Sequence, residues 1–248
     1  MRAENFVAHR GYRQHYPENT LIAFRAAILA GAKNIELDVQ LDKDGIPWAF
    51  HDATLDRLCN RPGAIWNYHS AELAEFSAHE PGRFDQQFLG NPLCPLTHIV
   101  DLLREFPDVN AFVELKEESL TQFGAEKMWQ AVSTVIAPVH HQCILISFEL
   151  DSLCLARQYG WQRCGAVFDY WPDWQLAALA EINPEVIFVD RNIVPADIDL
   201  RSLPWPILVY EVGTAIEATD WFNRGAVAVE TFLIGELLKD FQLVSSPD

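Results

Sequence analysis

Short apolar runs of strand length, separated by helix-length stretches, recur from one end of the chain to the other. This rhythm limits the fold more than any other feature. Nine runs read as strands: Phe6–Arg10, Ile35–Val39, Trp48–His51, Phe112–Lys116, Ile144–Phe148, Gly165–Asp169, Val186–Asp190, Ile207–Val212 and Val227–Thr231. The first helical pattern, Thr20–Ala30, puts Leu21, Phe24 and Ile28 on one side, with Asn19 as a cap and Gly31 as a stop. Others are roughly His98–Phe106, Phe123–Val135, Leu150–Tyr159, Asp173–Ile182, Thr214–Asn223 and Gly235–Phe241, with a weaker one at Asp197–Leu203. Between Val39 and Trp48 the gap is too short for a parallel crossover, which takes about a dozen residues, and it holds the hairpin signal Asp44-Gly45. Trp48–His51 therefore returns antiparallel. Removing it leaves eight strands, each followed by a helical or weakly helical segment, which predicts a (β/α)8 TIM barrel.

A chain of 248 residues suits one such domain, so a single domain over 1–248 is expected. Residues 53–95 fit the alternation poorly and are rich in Pro, Gly, Asn and His, apart from a short helix at Ser70–Phe76. They read as an insertion after the second barrel strand, a small subdomain or lid over the C-terminal face.

Charge within the strands points to chemistry. In Ile35-Glu36-Leu37-Asp38-Val39 the apolar residues share one face and the two carboxylates the other. In Ala111–Lys116, Glu114 and Lys116 likewise oppose Ala111, Val113 and Leu115. Helices cover a barrel from outside, so the apolar faces point outward and the charged ones into the barrel mouth. His9-Arg10 ends the neighbouring first strand. Three carboxylates facing one lysine must protonate, pair or bind a cation. All-oxygen ligands favour a hard divalent ion, Mg²⁺ or Ca²⁺. The hairpin turn brings His51 near the level of Glu36, so His9 and His51 flank that ion and suit acid–base work. Arg10 supplies a bidentate donor for phosphate.

The formal charge of −17 argues against nucleic acid or an anionic membrane as partner. Five cysteines stand far apart without a C-x-x-C pair, which suits reduced, mostly buried thiols. No signal-like or membrane-length apolar stretch is visible, so a cytoplasmic protein without stable membrane insertion is expected. The oligomeric state is left open.

His9-Arg10-Gly11, Pro17-Glu18-Asn19-Thr20, Ile35-Glu36-Leu37-Asp38-Val39-Gln40-Leu41, Asp44-Gly45, Phe50-His51-Asp52, Thr54-Leu55 and Glu114-Leu115-Lys116 together resemble the glycerophosphodiester phosphodiesterase (GDPD) family. The likeness is dense over about 7–58 and recurs at 95–116. It implies a metal-dependent hydrolase of lipid and glycerol metabolism that cleaves glycerophosphodiesters, such as glycerophosphocholine or glycerophosphoethanolamine, to glycerol 3-phosphate and an alcohol. Glu36, Asp38 and Glu114 would bind the cation, His9 and His51 would form the acid–base pair, and Arg10 and Lys116 would hold the phosphoryl oxygens. Glu18-Asn19-Thr20 reads either as a helix cap or, for Glu18, as support for the site. Asp52 either orients His51 or caps the next turn.

The chain departs from the family near its end. Glu230-Thr231-Phe232 stands where Thr-Asp is usual, and Tyr210-Glu211 where a Trp followed by Thr or Val is usual. Phe148, Tyr210 and Glu211 are therefore candidate substrate-pocket residues. Acidic residues at successive strand ends (Glu149, Asp169, Asp190, Glu211, Glu230), with Tyr170 and Trp171 among them, suit a cationic alcohol. Two alternatives stand beside the main expectation. One is a lysophospholipase D or phospholipase C-like lipid phosphodiesterase. The other is a non-catalytic barrel that binds metal or phosphodiester. Metal-dependent release of glycerol 3-phosphate separates the enzyme from the binder.

Overall fold

Parity along eight parallel strands organises the molecule, seen here in a computed structural model that describes residues 1–243. The end of the expected 1–248 domain, 244–248, lies outside the described residues. In chain order the strands are β1 (Phe6–His9), β2 (Asn34–Leu41), β3 (Pro47–Ala49), β4 (Cys94–Pro95), β5 (Asn110–Leu115), β6 (Cys143–Ser147), β7 (Cys164–Phe168), β8 (Val186–Asp190), β9 (Ile207–Tyr210) and β10 (Ala228–Thr231). The barrel runs β1-β2-β5-β6-β7-β8-β9-β10 and closes where β10 pairs with β1. β3 and β4 lie outside this circuit: β3 pairs antiparallel with β2, and β4 pairs antiparallel with β3. The tight turn before β3 uses Gly45 at φ +80°, a conformation glycine adopts without steric cost.

Outward-facing Ile35, Leu37 and Val39 of β2 and Ala111, Val113 and Leu115 of β5 join the large core beneath the helices. Each of these buried Ile, Leu and Val side chains stabilises the fold by roughly 1.5–3 kcal/mol relative to exposure. A second apolar layer fills the barrel itself, with Val7, Phe112, Ile144, Ile146, Phe188 and Leu208 among its members. Phe112 and Phe188 meet edge-to-face at 5.1 Å. Gly165 is tightly packed in this layer: a Cβ there would stand 3.0 Å from the carbonyl oxygen of Val186 and 3.1 Å from Ile146 Cγ2, so a larger side chain would push its neighbours aside. The barrel is thus plugged by hydrocarbon, and polar chemistry is confined to one end of it.

The helix expected at Phe123–Val135 is Ala125–Ile136, and a further helix that the spacing did not predict, Glu117–Phe123, precedes it, set apart by Gly124 at φ +84°. One helical expectation is corrected. Asp197–Leu203 holds only a 3₁₀ turn, Leu200–Ser202. The first helix, Leu21–Leu29, is capped by Thr20, whose hydroxyl accepts from the Ala23 N–H, and not by Asn19. Residues 53–95 contain the short helices Asp56–Cys59, Ser70–Leu73 and Pro81–Phe84. Leu55, Leu58, Ile65, Leu73, Ala78 and Leu93 from this stretch pack with Trp48 and Phe50 into a separate apolar cluster. All five cysteines are buried and free. No helix among the described residues is long and apolar enough to cross a membrane.

Candidate active site

Inward positions at the C-terminal ends of the strands carry the charged residues. β1 and β2 pair His9 with Glu36, and β2 and β5 pair Asp38 with Glu114. Inward parity then places Glu36, Asp38 and Glu114 together, with one carboxylate oxygen from each lying within 4.8 Å of the other two. His51 arrives by a different route. The Phe50 N–H donates to the Asp38 carbonyl at 2.9 Å, which extends the β2–β3 pairing to the rim. His9, Arg10, Glu36, His51, Glu114 and Lys116 line one cavity of about 160 Å³, together with Phe148, Tyr210 and Glu230.

Arg10 leaves β1 in the left-handed conformation, φ +56°, and Gly11 follows at φ +81°. This turn aims the Arg10 N–H at Glu36 Oε2, 3.1 Å away, and its Nε at Asp38 Oδ2, 3.0 Å away. Lys116 Nζ lies 2.9 Å from Glu114 Oε1 and 3.6 Å from Asp38 Oδ1. Burial alone would raise Asp38, but Arg10 and Lys116 hold its carboxyl well below the usual range. Burial, reinforced by Asp38, Glu230 and Glu114, pushes Glu36 well above it. Burial raises Glu114 too, despite Lys116. The site therefore holds more buried carboxylate than its own cations neutralise. Glu36 Oε1 is buried with no hydrogen-bond partner. An oxygen-rich cluster with an orphaned buried acceptor fits a hard divalent cation.

His9 is 7 % exposed and stacks on Phe232, with ring centroids 4.8 Å apart. Its Nδ1 lies 3.0 Å from Glu211 Oε1, and Nε2 lies 3.8 Å from Glu36 Oε2. Burial and Arg10 push His9 down to about 4, against the pull of Glu211. His51 is more open, 31 % exposed at the side chain, and its Nδ1 bonds Asp52 Oδ1 at 2.8 Å. Asp52 thus orients His51, the role left open from the sequence.

Of the candidate pocket residues, Phe148 and Tyr210 line the cavity. The Tyr210 hydroxyl donates to the Phe168 carbonyl at 2.9 Å, which leaves the ring to face the space. Glu211 instead stands beside His9. Past Tyr210 the chain bends toward β10, with the Val212 N–H donating to the Glu230 carbonyl at 2.8 Å, and this carries Glu211 across. The acidic strand ends divide. Glu230 is 3 % exposed, lines the cavity, and leaves Oε1 without a partner. Glu149 and Asp169 line an outer cleft of about 450 Å³ with Glu118 and Tyr170, and this cleft shares Glu114, Lys116 and Phe148 with the cavity. Asp190 is engaged by Asn192. Trp171 packs on Trp174.

Two parts of the site escape strand-based reading. Asn19, in the left-handed conformation at φ +54°, donates its amide to Asp38 Oδ2 at 2.7 Å. Glu18 is fully buried and accepts from Arg10, Arg13 and Arg57. Their only sequence signal was the Pro17–Thr20 string ahead of a helix.

Residues 9–162 match the glycerophosphoryl diester phosphodiesterase family. Among curated relatives, a glycerophosphodiester phosphodiesterase of Caldanaerobacter subterraneus is 35 % identical over 121 residues, 49 % of each chain. Glycerophosphodiester phosphodiesterase 1 of mouse is 44 % identical over 194 residues, covering 68 % of this chain and 59 % of that protein. The chain spans about half the length of the first curated relatives it matches. A solved phosphodiesterase of Oleispira antarctica, in complex with the product sn-glycerol-3-phosphate, superposes with TM-score 0.83 at 22 % identity, covering 96 % of both chains. A glycerophosphodiester phosphodiesterase from Agrobacterium tumefaciens gives 0.75 at 23 % identity, over 96 % of this chain and 100 % of the other. At those identities the structural likeness bears on the fold.

Proposed function

The chain belongs to the glycerophosphoryl diester phosphodiesterase family, and we propose that it hydrolyses glycerophosphodiesters to glycerol 3-phosphate and an alcohol. One observation carries this proposal: two histidines, an arginine, a lysine and the buried Glu36–Asp38–Glu114 cluster converge at one end of the barrel. Glu36, Asp38 and Glu114 would hold a divalent cation, Mg²⁺ or Ca²⁺. When bound, that cation supplies positive charge to the phosphoryl oxygens and the glycerol 2-hydroxyl.

His51, backed by Asp52, takes the proton from the glycerol 2-hydroxyl. The freed oxygen attacks phosphorus in line. His9 gives a proton to the departing alcohol. A phosphodiester anion beside Arg10 offsets that residue's lowering of His9, and Glu211 favours the protonated ring. Arg10 and Lys116 stabilise the charge added in the transition state. Water then opens the cyclic phosphate with the histidine roles exchanged.

For the alcohol we favour a cationic head such as choline or ethanolamine. The outer cleft supports this choice, because Glu118, Glu149, Asp169 and Tyr170 offer negative charge and a ring face just beyond Lys116. The whole chain is taken as one barrel domain with 53–95 as a small insertion. The experiment is a panel of glycerophosphodiesters with added Mg²⁺ or Ca²⁺, read as glycerol 3-phosphate release. Release is expected, faster from glycerophosphocholine than from glycerophosphoglycerol. No release from any member would leave a barrel that only binds, and equal rates would remove the cationic preference.

A further inference from the structure

One side chain from the insertion segment, Arg57, reaches both flanks of the site. Its Nε and Nη2 donate to Asp52 at 2.7 and 2.8 Å. Nη2 and Nη1 donate to Glu18 at 2.6 and 3.1 Å, and Nη1 also reaches Glu80 Oε1 at 3.1 Å. Asp52 holds the His51 ring. Glu18 accepts from Arg10 Nη1 at 3.0 Å, and Arg10 Nε lies 3.0 Å from Asp38. A continuous series of ion pairs therefore runs His51–Asp52–Arg57–Glu18–Arg10–Asp38. Glu18, His51 and Asp52 approach closely enough to suggest a cation site, but the Arg57 guanidinium already bonds both carboxylates.

We propose that Arg57 is a positioning residue for the reaction, setting the His51 ring relative to Arg10 by gripping Asp52 and Glu18 at once. This rests on the assignment of His51 as a base and Arg10 as a phosphate ligand. The chemistry demands arginine. A planar guanidinium presents two donor edges to two carboxylates, whereas lysine has one nitrogen and no fork. Glu80 ties this geometry to the insertion. It is itself fixed by its N–H donating to the Leu58 carbonyl at 2.9 Å and by Arg83 Nη1 at 2.9 Å on its other oxygen. The insertion thus aligns the two flanks of the site as well as covering apolar surface.

The test is a double-mutant cycle between Arg57→Lys and His51→Ala, with kcat, KM and calcium affinity measured for each protein. Arg57→Lys is expected to lower kcat by roughly 10- to 100-fold, the usual cost of losing a group that orients a reactive one, while calcium affinity holds. In the His51→Ala background the same change should cost less than about twofold, because the ring it positions is gone. Effects that multiply, or an Arg57→Lys enzyme within about twofold of wild type, would overturn the proposal. If circular dichroism shows Arg57→Lys unfolded, Asp52→Asn takes its place. That change is nearly isosteric and the residue is partly exposed, so the same loss and the same non-additivity are expected. A fully active Asp52→Asn enzyme would overturn the proposal equally. Full turnover by His51→Ala alone would instead remove the base assignment beneath it, and it is read from its own corner of the cycle.

Discussion

The Asn19 side chain donates to Asp38 Oδ2 at 2.7 Å and accepts from the Asp38 backbone N–H at 3.3 Å, so both ends of its amide are committed to one carboxylate residue. Such a clamp fixes the direction of a candidate metal ligand before any cation arrives. Removing it should weaken metal binding by about 10- to 100-fold. Asn19→Gly is the suitable variant, because glycine accepts the left-handed backbone at φ +54° and Asn19→Ala would add strain. Calorimetric titration with Mg²⁺ or Ca²⁺ checks this, and unchanged affinity would mean that Asp38 needs no clamp.

The two histidines should separate binding from turnover. His9→Ala and His51→Ala are each expected to lose at least ~10²-fold in kcat, with cation affinity kept for His51→Ala. His9 stands 3.8 Å from Glu36, so its variant is checked for cation binding alongside. Near-normal turnover in either would refute the pair.

Much of this was legible in the sequence, for a physical reason. Strand parity alone puts Glu36, Asp38, Glu114 and Lys116 inside the barrel, and a short turn alone brings His51 back beside them. Side-chain networks between loops have no period. Arg57 meets Glu18 across 39 positions of chain and Glu80 across 23, and nothing in their local patterns announces either contact. Glu211 read as a pocket residue because it follows Tyr210 where the family usually has Thr or Val after a Trp, yet a bend after Tyr210 sets it beside His9. The short helix Glu117–Phe123 went unread, because seven residues with two acidic ones in the first turn carry too little apolar repeat to announce it.

Glu18 should make stability depend on acid. Burial would raise its carboxyl, but Arg10, Arg57 and Arg13 hold it at about 2, below the ordinary 4.5. A folded-state value below the unfolded one contributes stability that is complete above about pH 4.5 and is lost as pH falls through 2, roughly 3 kcal/mol in all. The gap in Tm between wild type and Glu18→Gln should therefore be widest near neutrality and shrink below pH 4.5. A gap independent of pH would show that the arginines do not depend on that charge.

The place of the cation decides most. Crystals soaked in Mn²⁺, as a stand-in for Mg²⁺ or Ca²⁺, can be measured for anomalous scattering near the manganese edge. One peak is expected among the carboxylate oxygens of Glu36, Asp38 and Glu114, about 2.0–2.6 Å from its ligands as hard ions require, inside the cavity shared by His9 and His51. No peak there, or a peak elsewhere with those three carboxylates unliganded, would contradict the proposed chemistry at its root.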